Sequence, residues 1–165
     1  MRMTEFKDDG TDTAEREFVL ERVFDAPREL VFDAWTDARH VDQWWGPAGF
    51  TTTTREMDVR PGGQWRFMMH GPDGTDYPEW ISWTAITPPE LITLRHGESR
   101  DDPNAFESVL TFTPDGAATR LEMRTVFPTK EMRDEAVEKY HAVEGGRQTL
   151  SNLAAYLAAT VQKGI

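Results

Sequence analysis

PTKEMRDEAVEKYHAVEGGRQTLSNLAAYLAATVQKGI, residues 128–165, is the stretch whose reading decides the fold. Met132, Ala136, Tyr140, Val143, Arg147, Leu150, Ala154, Leu157 and Val161 recur at steps of four and three residues, which lines them up along one face of a helix. The whole stretch therefore reads as one long helix laid over a sheet. Thr129 suits the N-cap, Glu131 and Asp134 suit the positive end of the helix dipole, and Lys163 with Gly164 suits the other end. Two features interrupt the pattern. Arg147 falls on the apolar stripe, where a guanidinium needs a carboxylate, a carbonyl or water as partner. Gly145 and Gly146 each cost about 1 kcal/mol relative to Ala in mid-helix, so either the helix bends there or it needs bare backbone for a close approach.

Upstream of the helix the period is two. Thr51 to Val59, Gln64 to His70, Tyr77 to Thr87, Leu91 to Glu98, Ala105 to Thr113 and Thr119 to Phe127 read as strands. Between them lie Pro61-Gly62-Gly63, Gly71-Pro72-Asp73-Gly74, Pro88-Pro89, Asp101-Asp102-Pro103 and Pro114-Asp115-Gly116, the turn chemistry of an antiparallel meander. In the last strand Leu121, Met123 and Phe127 oppose Arg120, Glu122 and Arg124, which makes one face core and the other a solvated charge ladder. Arg16 to Phe24 reads as a first strand, with Phe18, Leu20 and Phe24 on one side. After it, Asp25-Ala26-Pro27 offers a cap for a helix with Leu30, Val31, Ala34 and Trp35 in one stripe, and Asp37 opens a second short helix that Gly46-Pro47 stops. The predicted order is strand, two helices, six strands, long helix: an α+β fold.

Composition narrows the class. A chain of 165 residues can remove roughly 70% of its unfolded surface from water, enough for one core. No apolar run approaches 20 residues, so no membrane span is expected, and residues 1–15, with Lys7 among Asp8, Asp9 and Asp12, read as a frayed tail rather than a secretory signal. The absence of Cys removes disulfides, thiolate nucleophiles and cysteine metal sites, and cytoplasm is the default location. A net charge of −11 argues against nucleic acid and anionic membranes as partners. Arginine far outnumbers lysine, which either salt adaptation or base composition would produce. His40, His70, His96 and His141 lack metal-ligand spacing, so no metal and no cofactor are expected; His70 and His96 could meet Glu98 or Glu79. Arg60-Pro61-Gly62-Gly63 reads as a hairpin turn with a structural arginine rather than an anion nest.

A curved sheet and a straight helix cannot touch everywhere, so a gap between them is expected. Trp44, Trp45, Trp65, Phe67, Met69, Trp83, Phe106 and Leu110, with Tyr140 and Arg147 from the helix, are the candidate wall of a small-ligand cavity. Trp44 and Trp45 read as either an entrance gate or helix-to-sheet packing. Trp80 would lie exposed on the outer face and could support a homodimer.

Phe24-Asp25-Ala26-Pro27, Val31-Phe32-Asp33-Ala34-Trp35, Trp44-Trp45-Gly46-Pro47, Arg60-Pro61-Gly62-Gly63 followed by Trp65-Arg66-Phe67, Pro72-Asp73-Gly74, Pro88-Pro89-Glu90-Leu91, Thr119-Arg120-Leu121 and Gly146-Arg147-Gln148-Thr149-Leu150 occur in this order. Together, from about residue 16 to residue 161, they resemble the bacterial START-like (SRPBCC) helix-grip proteins related to the C-terminal domain of the activator of heat-shock protein 90 ATPase. The resemblance implies a helix-grip domain over residues 16–163, with a seven-stranded curved sheet wrapped around a long C-terminal helix. It also implies an apolar or aromatic small molecule bound between sheet and helix, and the surplus of aromatic side chains under the helical lid points to a non-catalytic carrier of it. The eukaryotic activators act mainly through an additional N-terminal domain, for which this chain has no room, so the family name is not read as an activity. Two rivals stay open. One is a cyclase, dehydratase or hydrolase in the same cavity, using Arg147, Tyr140, His70 or Glu79 as acid, base or orienting group. The other is a chaperone-associated docking module that binds through its sheet face or acidic surface.

Overall fold

The computed structural model describes residues 13–163, with side chains described as far as Thr160. Residues 1–12 of the expected tail lie outside the described residues; Thr13 is buried and Ala14–Arg16 form a 3-10 turn. There follow β1 (Glu17–Phe24), α1 (Arg28–Thr36), α2 (Ala38–Val41), β2 (Thr51–Met57), β3 (Gln64–His70), β4 (Asp76–Thr87), β5 (Leu91–Gly97), β6 (Phe106–Asp115), β7 (Ala118–Val126), α3 (Lys130–Glu138) and α4 (Ala142–Lys163). The strands form one antiparallel sheet in the order β1-β7-β6-β5-β4-β3-β2. This is the expected α+β helix-grip architecture, with the six later strands ending within about two residues of where the turn chemistry puts them. Period-two alternation explains the sidedness: Leu20 and Phe24 of β1 are buried, while Val19 and Val23, at the opposite parity, are nearly half exposed.

The helix expected over residues 128–165 is two helices. Thr129 does cap the first, its hydroxyl accepting from Met132 N at 3.1 Å. At the end of α3, Lys139 N and Tyr140 N both donate to Glu135 O, and His141 takes a φ of +54°. A residue in the left-handed region cannot continue a right-handed helix, so the chain turns and restarts. The restart rephases the buried line to Leu150, Leu153 and Leu157, with Gly146 one turn before Leu150, and leaves Arg147 exposed. Gly146 is the close approach anticipated from the glycine pair. A Cβ there would stand 2.6 Å from Leu20 Cδ1, whereas at Gly145 the nearest atom would be Pro47 Cβ at an ordinary 3.9 Å.

Three smaller expectations also need correction. Pro27, not Asp25, occupies the N-cap of α1, with no side-chain cap; Leu30 is exposed and Phe32 is buried in its stead. Trp80 is not bare, because the Arg66 guanidinium lies 4.8 Å from its ring centroid. The Arg120, Glu122, Arg124 ladder is solvated only in part. Arg124 and Glu17 are mostly buried and joined at 2.7 Å, with the Thr13 hydroxyl donating to the same carboxylate, because the 3-10 turn brings Thr13 over the sheet edge.

Glu107, on the same outer face opposite Val126, is half-buried. Burial pushes its carboxyl above the usual range, against the opposing charges of Arg95 and Arg16. A carboxyl raised in the folded state contributes stability while protonated, fully present below the unfolded value and lost as pH rises through the folded one. Glu107→Gln is therefore expected to melt higher than the parent protein at neutral pH. The gap should close as the pH falls below the ordinary glutamate range; a gap independent of pH would refute the assignment.

Candidate functional site

β3 and β4 project alternate residues onto the concave face, which stacks their aromatic rings. Trp65 lies on Phe67 with centroids 4.0 Å apart, and parallel to Trp83 at 6.2 Å. Trp65 Nε1 donates to Thr54 Oγ1 at 3.0 Å. Trp45, in the loop after α2, stands edge-on to this stack, 5.0 Å from Trp65 and 5.9 Å from Phe67, and meets Trp35 on its other side at 5.4 Å. The backbone fixes it there: Trp45 N donates to Val41 O, and Trp45 O accepts from the Thr52 hydroxyl. Trp44 is buried, with its indole N–H on Ala34 O at 3.1 Å. It packs the turn after α2 against α1, the packing role of the two readings.

Beside Trp45 a cavity of about 310 Å³ opens between the concave sheet face, the loop at Gly46-Pro47 and the α3–α4 turn. Its wall is chiefly apolar, with Phe18, Phe106, Leu110, Met123, Phe127 and Leu150 prominent, and the exposed Tyr140 and His141 form its rim. α4 holds the loop in place through Gln148 Oε1, which accepts from Ala48 N, and Asn152 Nδ2, which donates to Gly46 O. The cavity lies beside the break at His141, with Ala136 of α3 and Gly146, Thr149 and Leu150 of α4 in its wall.

Of the ten candidate wall residues, Trp45, Met69, Phe106, Leu110 and Tyr140 line this cavity. Trp44, Trp65, Phe67 and Trp83 lie one layer behind it in close-packed core. Arg147 does not line this cavity but a separate groove with Val19, Glu21 and Arg22 of β1. Of the four residues considered for acid–base work, only Tyr140 reaches the wall. His70 sits at the end of β3 between Thr53 and Asp76.

Several polar residues of the wall were not among the candidates, Ser108, Thr125 and His96 foremost, with Thr149 and the rim residue His141. Ser108 and Thr125, paired across β6 and β7, are buried with their hydroxyls 3.1 Å apart. His96 lies diagonal to Ser108 on β5, with Nε2 2.6 Å from Glu79 Oε1 and its ring 4.8 Å from that of Phe106. A signal was present: Ser108 shares its parity with Phe106 and Leu110, and Thr125 with Leu121 and Met123, so each is a small polar residue at an inward position. Trp35, also in the wall, keeps a buried indole N–H without a partner among the described residues.

Among the described residues no group of three or more His, Asp or Glu is placed to hold a metal ion, and no helix is long and apolar enough to cross a membrane. The family described as "Activator of Hsp90 ATPase homolog 1-like protein" matches residues 25–158. No curated protein matches the chain. Solved structures do. A protein from Arthrobacter aurescens is 24% identical over 90% of both chains with a TM-score of 0.83. One from Mycobacterium smegmatis is 27% identical over 90% of this chain and 95% of its own, with a TM-score of 0.80. A protein from Silicibacter pomeroyi is 26% identical over 87% of this chain and 98% of its own, at 0.71.

Proposed function

The chain belongs to the family of Activator of Hsp90 ATPase homolog 1-like proteins, and from that membership together with its cavity we propose that it is a non-catalytic carrier of an apolar or aromatic small molecule held between the sheet and α4. The cavity carries the reading. At about 310 Å³ it stands at the small end of the range of about 300–1,000 Å³ for ligand pockets. It has the composition of such pockets, an apolar and aromatic wall with a few convergent polar groups. Its ligand is accordingly of one- or two-ring size, entering past Tyr140 and His141.

Isothermal titration with a panel of naphthalene derivatives tests this. The wild-type protein is expected to bind members of the panel. In Ala136→Trp, an α3 wall position that is only half-buried, the new ring occupies the cavity and affinity is expected to fall at least about tenfold by steric exclusion. The melting temperature should be nearly unchanged, since the ring enters existing space. No binding by the wild-type protein, or undiminished binding by the variant, refutes the carrier reading at this site.

A further inference from the structure

The polar groups of the wall restrict what the cavity accepts. His96 is a wall residue on β5, and its Nε2 lies 2.6 Å from Glu79 Oε1 on the neighbouring β4. Both side chains are largely buried, His96 at 14% and Glu79 at 20% exposed. No arginine or lysine pairs with Glu79 among the described residues, so its contact with His96 is the one the structure gives that carboxylate. A carboxylate can only accept a hydrogen bond. Nε2 is therefore the nitrogen that donates to it, and in the corresponding neutral tautomer the lone pair lies on Nδ1. Nδ1 makes no hydrogen bond to any described residue. A second polar feature lies diagonally across the strand pair, within roughly 7–8 Å by sheet geometry. It is the buried Ser108–Thr125 hydroxyl pair, in which one hydroxyl donates to the other.

We propose that the ligand is a planar apolar molecule bearing a hydroxyl group, and that this hydroxyl donates to Nδ1 of His96, which Glu79 holds in its Nε2–H tautomer. The proposal rests on the carrier reading and narrows it to phenol- or naphthol-like compounds. The wall favours the same chemistry. Among the wall residues, Trp45 and Phe106 have ring centroids 6.3 and 4.8 Å from that of His96, so the acceptor sits beside aromatic surfaces against which a flat ring packs. An ether or plain hydrocarbon of the same shape fills the space but leaves this acceptor unpaired and cut off from water.

The test compares 1-naphthol, 1-methoxynaphthalene and naphthalene by isothermal titration at neutral pH. Wild-type protein is expected to bind 1-naphthol about tenfold more tightly than either of the others, the combined effect of one gained hydrogen bond and one acceptor left unmade. In Glu79→Gln the side-chain amide can donate to Nε2 and move the ring proton to Nδ1. The preference for hydroxyl over methoxy is then expected to shrink or reverse, with naphthalene affinity unchanged. His96→Phe, which retains an aromatic ring of similar size, is expected to abolish the preference. Should that variant fold poorly, the near-isosteric Glu79→Gln and the wild-type series still decide the matter. Equal wild-type affinity for all three compounds overturns the proposal while leaving the carrier reading in place. A hydroxyl preference that persists undiminished in both variants also overturns it, and binding of none of the three overturns the proposal and the carrier reading together.

Discussion

Trp65→Ala is expected to destabilise the protein by about 4 kcal/mol, within the range of large-to-small substitutions at buried aromatic sites. The ring is fully buried, stacked between Phe67 and Trp83, and edge-on to Trp45. Three neighbouring rings would lose contact at once, and the sheet behind them cannot collapse, because β3 is paired on both sides, with β2 and β4. The Thr54 hydroxyl would also lose the indole donor. Chemical denaturation measures this directly, and a loss below about 1 kcal/mol would show that the aromatic stack is not the keystone of the core. Trp45 rests on Trp65, so the same variant should also weaken binding of the naphthalene panel, which separates a platform under the cavity from core that is merely nearby.

The second large effect is expected at Gly63. A Cβ there would lie 2.1 Å from Asp58 O and 3.0 Å from Arg60 O, both backbone atoms that no rotamer change can move aside. The turn is also stitched to β4: Gly62 N donates to Trp83 O, and Trp83 N donates to Gly63 O. Gly63→Ala must therefore shift backbone beside a buried tryptophan, and a cost of about 3 kcal/mol is expected. Gly62→Ala is the control. Its site is open but its φ is +85°, so only the conformational cost of about 1 kcal/mol applies. Equal effects at the two positions in thermal or denaturant unfolding would refute the steric account. Arg60 in the same motif pairs at the surface with Asp58, consistent with architecture rather than anion binding.

Much of this was legible from local pattern. The strands announce themselves because turn residues with specific backbone requirements punctuate runs of period two, and both signals act within a few residues. The N-cap at Thr129 and the close approach at the glycine pair are local for the same reason. The break at His141 was not legible, since neither Tyr140 nor His141 is a helix breaker and the four-three spacing runs straight across it. That single left-handed residue moved Arg147 off the core line and put Gly146 near it.

The wall of the site shows the same division. Large aromatic side chains at inward positions signal burial, but burial beside a void and burial in close packing look identical along a chain. Trp65, Phe67 and Trp83 thus sit behind the cavity, while Ser108, Thr125 and His96 line it. Their meeting depends on the register between β5, β6 and β7, and on where α3 leaves the sheet.

By itself, then, the order of residues determined which segments are strands and helices, which face of each strand is buried, and so the architecture, because those properties follow from backbone preference and side-chain period within one element. Only the tertiary structure decided which buried residues border empty space, which polar groups share it, and that Glu79 meets His96 beside it. Those are relations between strands far apart along the chain, and no local preference encodes them.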